Sequence, residues 1–225
     1  MRRRRFPRAG LMTVGVLMGA SCGNSAESPV GGTSVSPAQA ERSWLMPEEG
    51  QPHKRTWMAF GASEKIYGAR QLPRARRDLA AIAATIARYE PVAMLARPGE
   101  VDVARGLVGP KVEVIAAELD DLWMRDTGPV FVRGGGAVAG VDLNFDGWGG
   151  KQEHRRDAGV ARFVIGRAGA ESLRTDLVLE GGGLEVDGEG TAIITESCVL
   201  NANRNPAGRR PTSSTSSRSC SASRR

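Results

Sequence analysis

The sequence predicts an α/β fold, and three observations carry that reading. Short β-type runs recur through the middle of the chain, one clearly amphipathic helix stands among them, and glycines punctuate the joins. Sheets built from such short strands leave apolar faces open, so the unit needs neighbouring elements to cover them. With 225 residues, of which 40% are hydrophobic, the chain has room for one good-sized domain or two small ones and can form a packed core.

The helix comes first. Over residues 73–89, Leu79, Ile82, Ala83 and Ile86 recur at helical spacing, Pro73 suits a first turn, and Pro91 stands just beyond the end. Strand-like runs follow at 92–96, 112–115, 130–132, 137–145, 177–179 and 184–194. Asp187-Gly188-Glu189-Gly190 interrupts the last of these, a turn signal that folds the run into a hairpin.

The two ends differ from this body. Residues 1–22 combine a basic start, a short apolar stretch and small residues, the layout of an export signal and too short for a membrane span. Arg3-Arg4-Arg5-Phe6-Pro7-Arg8 fits the twin-arginine pattern. Gly19-Ala20-Ser21-Cys22 has the outline of a lipoprotein cleavage box, which makes Cys22 a lipidation candidate and a membrane tether; Ala38-Gln39-Ala40 is a rival cleavage site. Residues 23–42 are rich in Ser, Gly, Pro and Ala and read as a flexible tether. The folded domain is expected over 43–206. Residues 207–225 hold seven Ser and five Arg without one large apolar side chain, so they read as a disordered, frame-shifted tail. An exported protein is expected, extracellular or anchored on the outer face of the membrane.

Charge excludes one class of partner. The formal charge of +6 is carried by the ends: five arginines lie in residues 1–26 and five more in 207–225, with no acid in either stretch. The remaining 21 basic residues face 25 acidic ones, so the body is mildly acidic and no nucleic-acid partner is expected. Three cysteines, Cys22, Cys198 and Cys220, are spaced for neither a zinc site nor a disulfide framework, and no metal or cofactor is implied. The only histidines are His53 and His154.

Three segments concentrate the chemistry. Leu119 to Pro129 (LDDLWMRDTGP) sets carboxylates beside the aromatic Trp123. Two carboxylate oxygens with a flat apolar face next to them suit a planar cation; a loop network or helix cap formed by Asp126 and Arg125 is the plainer alternative. Asn144 to Lys151 (NFDGWGGK) and Leu179 to Gly188 (LEGGGLEVDG) place glycines beside carboxylates, where the backbone can approach a ligand and Glu180 can project from a strand end. They can equally be turns without a ligand. Neither is a phosphate loop, since G-x-x-x-x-G-K does not occur in the sequence.

Together with Pro52 to Phe60 (PHKRTWMAF) and Thr195 to Pro206 (TESCVLNANRNP), these segments make residues 44–206 resemble the first half of the agmatine deiminase and bacterial-type peptidylarginine deiminase family. The resemblance implies a partial pentein, about half of a propeller of five ββαβ-type units around a central site. It implies a guanidine deiminase, converting agmatine to N-carbamoylputrescine and ammonia or peptidylarginine to citrulline, with a small-molecule or peptide guanidine as substrate. In that chemistry a thiolate attacks the guanidinium carbon, a histidine carries protons, and water releases the enzyme-bound intermediate. Carried over, Asp126 binds the guanidinium, Trp123 walls the pocket, and Glu180 lies beside the catalytic histidine or the substrate nitrogens.

The family's cysteine and histidine segments have no counterpart in this sequence. Cys198 falls at an expected strand end, where a free cysteine is usually a small apolar residue, and His53 and His154 read as structural or solvated. The 225-residue chain is therefore expected to lack deiminase activity. A non-catalytic exported surface protein or lipoprotein that binds guanidinium compounds is the other expectation.

Overall fold

Val92–Ala96 (β2) is apolar at every position and buried at every position, which requires cover on both faces. A computed structural model describes residues 43–206 and shows how that cover is supplied. The export signal over 1–22, with Cys22, the tether over 23–42 and the tail over 207–225 lie outside the described residues.

β2 sits between two parallel neighbours, Thr56–Ala59 (β1) and Val112–Ala116 (β3). The crossovers are helical: Glu64–Ile86 (α1) joins β1 to β2, and Val101–Val108 (α2) joins β2 to β3. Alternation along β2 sorts its side chains to the two faces. Val92, Met94 and Ala96 pack with Phe60, Ala80, Ala83, Ala104 and Val108 under α1 and α2. Ala93 and Leu95 face the other way, onto Ile115, Leu119, Val160 and Val164. The last two belong to Val160–Ala168 (α4), so β2 lies between two layers of helix.

The second sheet is a hairpin extended by one strand. Val130–Gly134 (β4) pairs antiparallel with Ala137–Val141 (β5) through a turn at Gly135 and Gly136, both with positive φ. α4 then carries the chain to Glu171–Leu173 (β6), parallel to β5. A third, two-stranded sheet pairs Leu184–Val186 (β7) with Ala192–Ile194 (β8). Its turn is the one the sequence signals: Asp187 Oδ1 accepts from the backbone N–H of Glu189 (2.8 Å) and of Thr191 (3.0 Å).

Several expectations are corrected. The helix begins at Glu64 rather than Pro73 and kinks at Gly68 (φ 67°), so Pro73 lies inside it, close behind the break. Its buried face is centred on Ala80 and Ala83, while Ile82 is 51% exposed. The run over 137–145 is a strand only as far as Val141, because Asn144 takes a positive φ of 54° and turns the chain. Residues 177–179 form no strand; Leu179 donates one backbone hydrogen bond to the Leu143 carbonyl (3.0 Å) and pairs no further. Cys198 lies not at a strand end but on the short helix Glu196–Val199 (α5). β1, β6, α2 and α4 were not expected. α2 carries the signal that would have revealed it, with Val101, Ala104 and Val108 on one face.

Candidate functional site

The site begins where the chain leaves β3. Gly61 passes so close that any side chain there would collide with the Asp121 carbonyl oxygen, so the end of β1 and the loop after β3 run in backbone contact. Beyond that contact the loop is held by its own acids. Asp157 accepts the N–H groups of Asp120 (2.8 Å) and Asp121 (3.0 Å), while Asp120 accepts those of Arg156 (2.7 Å) and Asp157 (3.3 Å). Burial pushes the Asp157 carboxyl up to about 6, outweighing the two N–H donors that favour its charged form.

Asp121 is a buried hub. Oδ1 accepts the Leu122 N–H (2.8 Å); Oδ2 accepts the indole Nε1–H of Trp123 (2.9 Å) and the side-chain amide of Gln152 (3.0 Å). The Tyr67 hydroxyl also bonds to Asp121, and burial followed by that carboxylate raises the phenol to about 12. Trp123 is thus anchored by its ring nitrogen yet 46% exposed, an aromatic face presented to solvent.

One turn later, Asp126 stands on the short helix Met124–Thr127 (α3). Its Oδ1 accepts the Gly182 N–H (3.2 Å), and the Trp148 side chain hydrogen bonds to the same carboxylate. Burial raises its pKa; the Gly182 N–H, Trp148 and the Arg125 charge pull the other way without cancelling the rise. Arg125 itself pairs with Glu49. Gly181 and Gly182 are required here, because side chains at these positions would overlap the Arg125 carbonyl and Asp126 Oδ1.

Trp148 reaches Asp126 from an unusual backbone, with φ 60° and ψ 44° in the turn Gly147–Gly150. Asp146 fixes that turn by accepting the Gly149 N–H (2.7 Å), and Asn203 donates to the Gly149 carbonyl (3.1 Å). Trp148 meets Trp123 edge to face at 6.4 Å and Phe145 at 5.0 Å. The three motif segments therefore converge: Trp123 and Asp126 from the first, Trp148 from the second, Gly181 and Gly182 from the third.

Glu180 opens the third segment, 3% exposed and paired with Arg204 at 2.8 Å. Asn205 fastens the chain just ahead of that segment to the end of α5, accepting the Val178 N–H (3.0 Å) and donating to the carbonyls of Val178 (2.8 Å) and Val199 (2.9 Å). Sequence reasoning assigned no role to Asn203, Arg204 or Asn205, or to Asp121, Trp148 and Asp157. The polar run Asn201 to Pro206 was the available signal, since so many amides in one stretch imply backbone groups to satisfy.

The histidines and the described cysteine stand apart from Asp126. His53 pairs with Glu90 at 3.1 Å. His154 Nδ1–H donates to the Gln152 carbonyl (2.9 Å), with its ring edge-on to Phe145. Cys198 is half-buried against Gly183. A cavity of about 520 Å³ touches the α3 turn through Met124 and Arg125 and the third segment through Gly181, but neither Asp126 nor Trp123 lines it. The candidate site is the open mouth bounded by Trp123, Trp148 and Asp126.

The pattern of the Porphyromonas-type peptidyl-arginine deiminase family matches residues 45–217. The agmatine deiminase of Stutzerimonas stutzeri is 40% identical over 182 residues, covering 77% of this chain and 49% of that protein. That of Pseudomonas aeruginosa (strain LESB58) is 43% identical over 169 residues, 72% of this chain and 46% of that protein. Among solved structures, an agmatine deiminase of Enterococcus faecalis superposes with a TM-score of 0.70 at 31% identity, over 82% of this chain and 51% of that one. The chain spans about half the length of the relatives it matches.

Proposed function

The chain belongs to the Porphyromonas-type peptidyl-arginine deiminase family and carries about half of a pentein fold, and from that premise we propose that it supplies the guanidinium-holding part of a guanidine deiminase. Agmatine is the proposed substrate, hydrolysed to N-carbamoylputrescine and ammonia, and peptidylarginine is the second candidate. The observation that carries the reading is the half-buried Asp126 carboxylate, hydrogen-bonded to Trp148, whose ring in turn meets that of Trp123. Its two oxygens accept paired N–H donors from a guanidinium, and the exposed Trp123 ring covers the cation's flat face.

Turnover needs more than this clamp. Attack on the guanidinium carbon takes a thiolate, and expulsion of ammonia takes a proton carrier. Among the described residues, Cys198 packs on Gly183 and both histidines are bonded elsewhere. We propose that the 225-residue chain binds the cation without hydrolysing it. The twin-arginine pattern and Cys22 support export to the outer face of the membrane, which the mass of the mature N-terminus from cells would test.

Replacing Asp126 by Asn tests the clamp. The shape stays and the charge goes, which costs about 1.5–3 kcal/mol for a charge-assisted contact, or at least tenfold in affinity. Titration calorimetry with agmatine should show that loss with an unchanged circular dichroism spectrum. Because burial raises the Asp126 pKa, wild-type affinity should fall with decreasing pH sooner than it would for an ordinary aspartate. Equal affinity for both proteins removes Asp126 from the reading, and carbamoylputrescine released by the purified chain would overturn the proposed inactivity.

A further inference from the structure

Glu180 is buried, yet its hydrogen bonding is lopsided. Arg204 donates its Nε–H to one oxygen, Oε1, at 2.8 Å, and its Nη2 lies 2.8 Å from that same oxygen. A guanidinium facing a carboxylate ordinarily spreads two donors over two oxygens. Here Oε2 accepts from no described residue. A carboxylate has about four acceptor sites, so Glu180 is left with unused capacity on the oxygen that Arg204 does not touch.

Arg204 is in no position to adjust. Its side chain is 7% exposed, and the residues on either side are fastened: Asn203 to the Gly149 carbonyl, Asn205 to Val178 and Val199. Those anchors lie on the turn that presents Trp148, on the segment that leads into Glu180 and on the end of α5. Two residues after Glu180, Gly182 donates to Asp126 Oδ1. The buried ion pair is therefore built into the wall of the mouth that Asp126 occupies. For stability alone, a pair of well-packed apolar residues would serve as well, since taking both charges out of water offsets most of their attraction.

We infer that Arg204 is a positioning residue: it takes Oε1 of Glu180 and so aims Oε2 at a guanidinium held by Asp126. A planar cation with N–H donors on more than one edge is the ligand class this fits, one edge on Asp126 and another on Glu180 Oε2. The inference rests on the guanidine-binding reading and adds to it the group that orients the second carboxylate.

A double-mutant cycle on agmatine affinity tests it, using the full chain as wild type, Arg204→Gln, Arg204→Lys, Glu180→Gln and Glu180→Gln/Arg204→Gln, with putrescine as the control lacking a guanidinium. Lysine keeps the charge but lacks the planar fork that sets Nε and Nη2 against one oxygen, so Arg204→Lys should bind agmatine several-fold more weakly than wild type, and Arg204→Gln about tenfold more weakly. In the Glu180→Gln background the Arg204→Gln change should add less than about twofold, because its effect runs through Glu180. Circular dichroism separates loss of binding from loss of fold, and Arg204→Lys decides if Arg204→Gln does not fold. Wild-type affinity in Arg204→Lys, or independent multiplicative losses across the cycle, overturns the inference while leaving the guanidine reading intact. A wild-type chain that binds agmatine no better than putrescine sinks that reading, and the inference with it.

Discussion

The sheet of β1, β2 and β3 and the mouth around Asp126 lie one loop apart and are held together by opposite means. In the sheet, apolar side chains fill both faces of β2 and backbone pairing is regular. At the mouth, few backbone groups pair with one another across segments; side-chain carboxylates and amides take that place, with Asp120, Asp121, Asp126, Asp146, Asp157, Asn203 and Asn205 each fixing a loop. Burial of apolar area is non-directional and tolerates small shifts, whereas a hydrogen-bonded carboxylate sets position and angle. The difference shows where shape is generated in this chain and where it is put to use.

The comparison breaks hardest at the sheet. Leu95 is fully buried between the layers, so Leu95→Ala should cost about 3 kcal/mol of unfolding free energy and lower the whole transition. Denaturant melts followed by tryptophan emission and by far-ultraviolet dichroism should shift together; a loss below about 1 kcal/mol would mean that this sheet is not the stabilising core.

A smaller effect, peculiar to the carboxylate network, is its response to pH. The native state keeps a proton on Asp157 up to about 6, whereas an unfolded aspartate loses it near the ordinary 3.8. Between those values the folded state binds more protons, so this group's contribution is greatest below the lower value, falls as pH rises, and is gone above the upper one. The change amounts to at most about 3 kcal/mol. Asp157→Asn should flatten the stability profile between pH 4 and 6 relative to wild type, while Leu95→Ala should lower it evenly. Parallel wild-type and Asp157→Asn profiles would remove Asp157 as the source.

Least affected should be the position where the sequence pattern and the packing disagree. Ile82→Ser on the exposed side of α1 should change stability by less than about 0.5 kcal/mol. A loss above about 1.5 kcal/mol, measured by the same melts, would restore Ile82 to the core.

The sheet was legible in the sequence to the degree that its burial is complete. β2 could be bounded to the residue because five consecutive apolar side chains have no polar alternative, and the β7–β8 turn because Asp187 and two glycines dictate it. Ile82 was misplaced because periodicity weighs an isoleucine above an alanine, whereas the helix lies close to the sheet on the small Ala80 and Ala83. At the candidate site, Asp126, Trp123 and Glu180 are expectations that come from family resemblance, which rests on the motifs rather than on spacing. The Asp120–Asp157 clasp and the Glu180–Arg204 pair were invisible, since each joins segments 37 and 24 residues apart and neither partner carries a local pattern naming the other.

The backbone contact at Gly61 has a kinetic consequence. Until β1 has docked on β2, nothing holds the chain against the Asp121 carbonyl, and Asp126 must then find Gly182 across a separation of 56 residues. Closing a loop of that length carries an entropic penalty that apolar burial repays within the sheet but barely repays at the mouth. The site is therefore expected to assemble on the native side of the folding barrier, and damage to it should speed unfolding and leave the refolding rate nearly untouched.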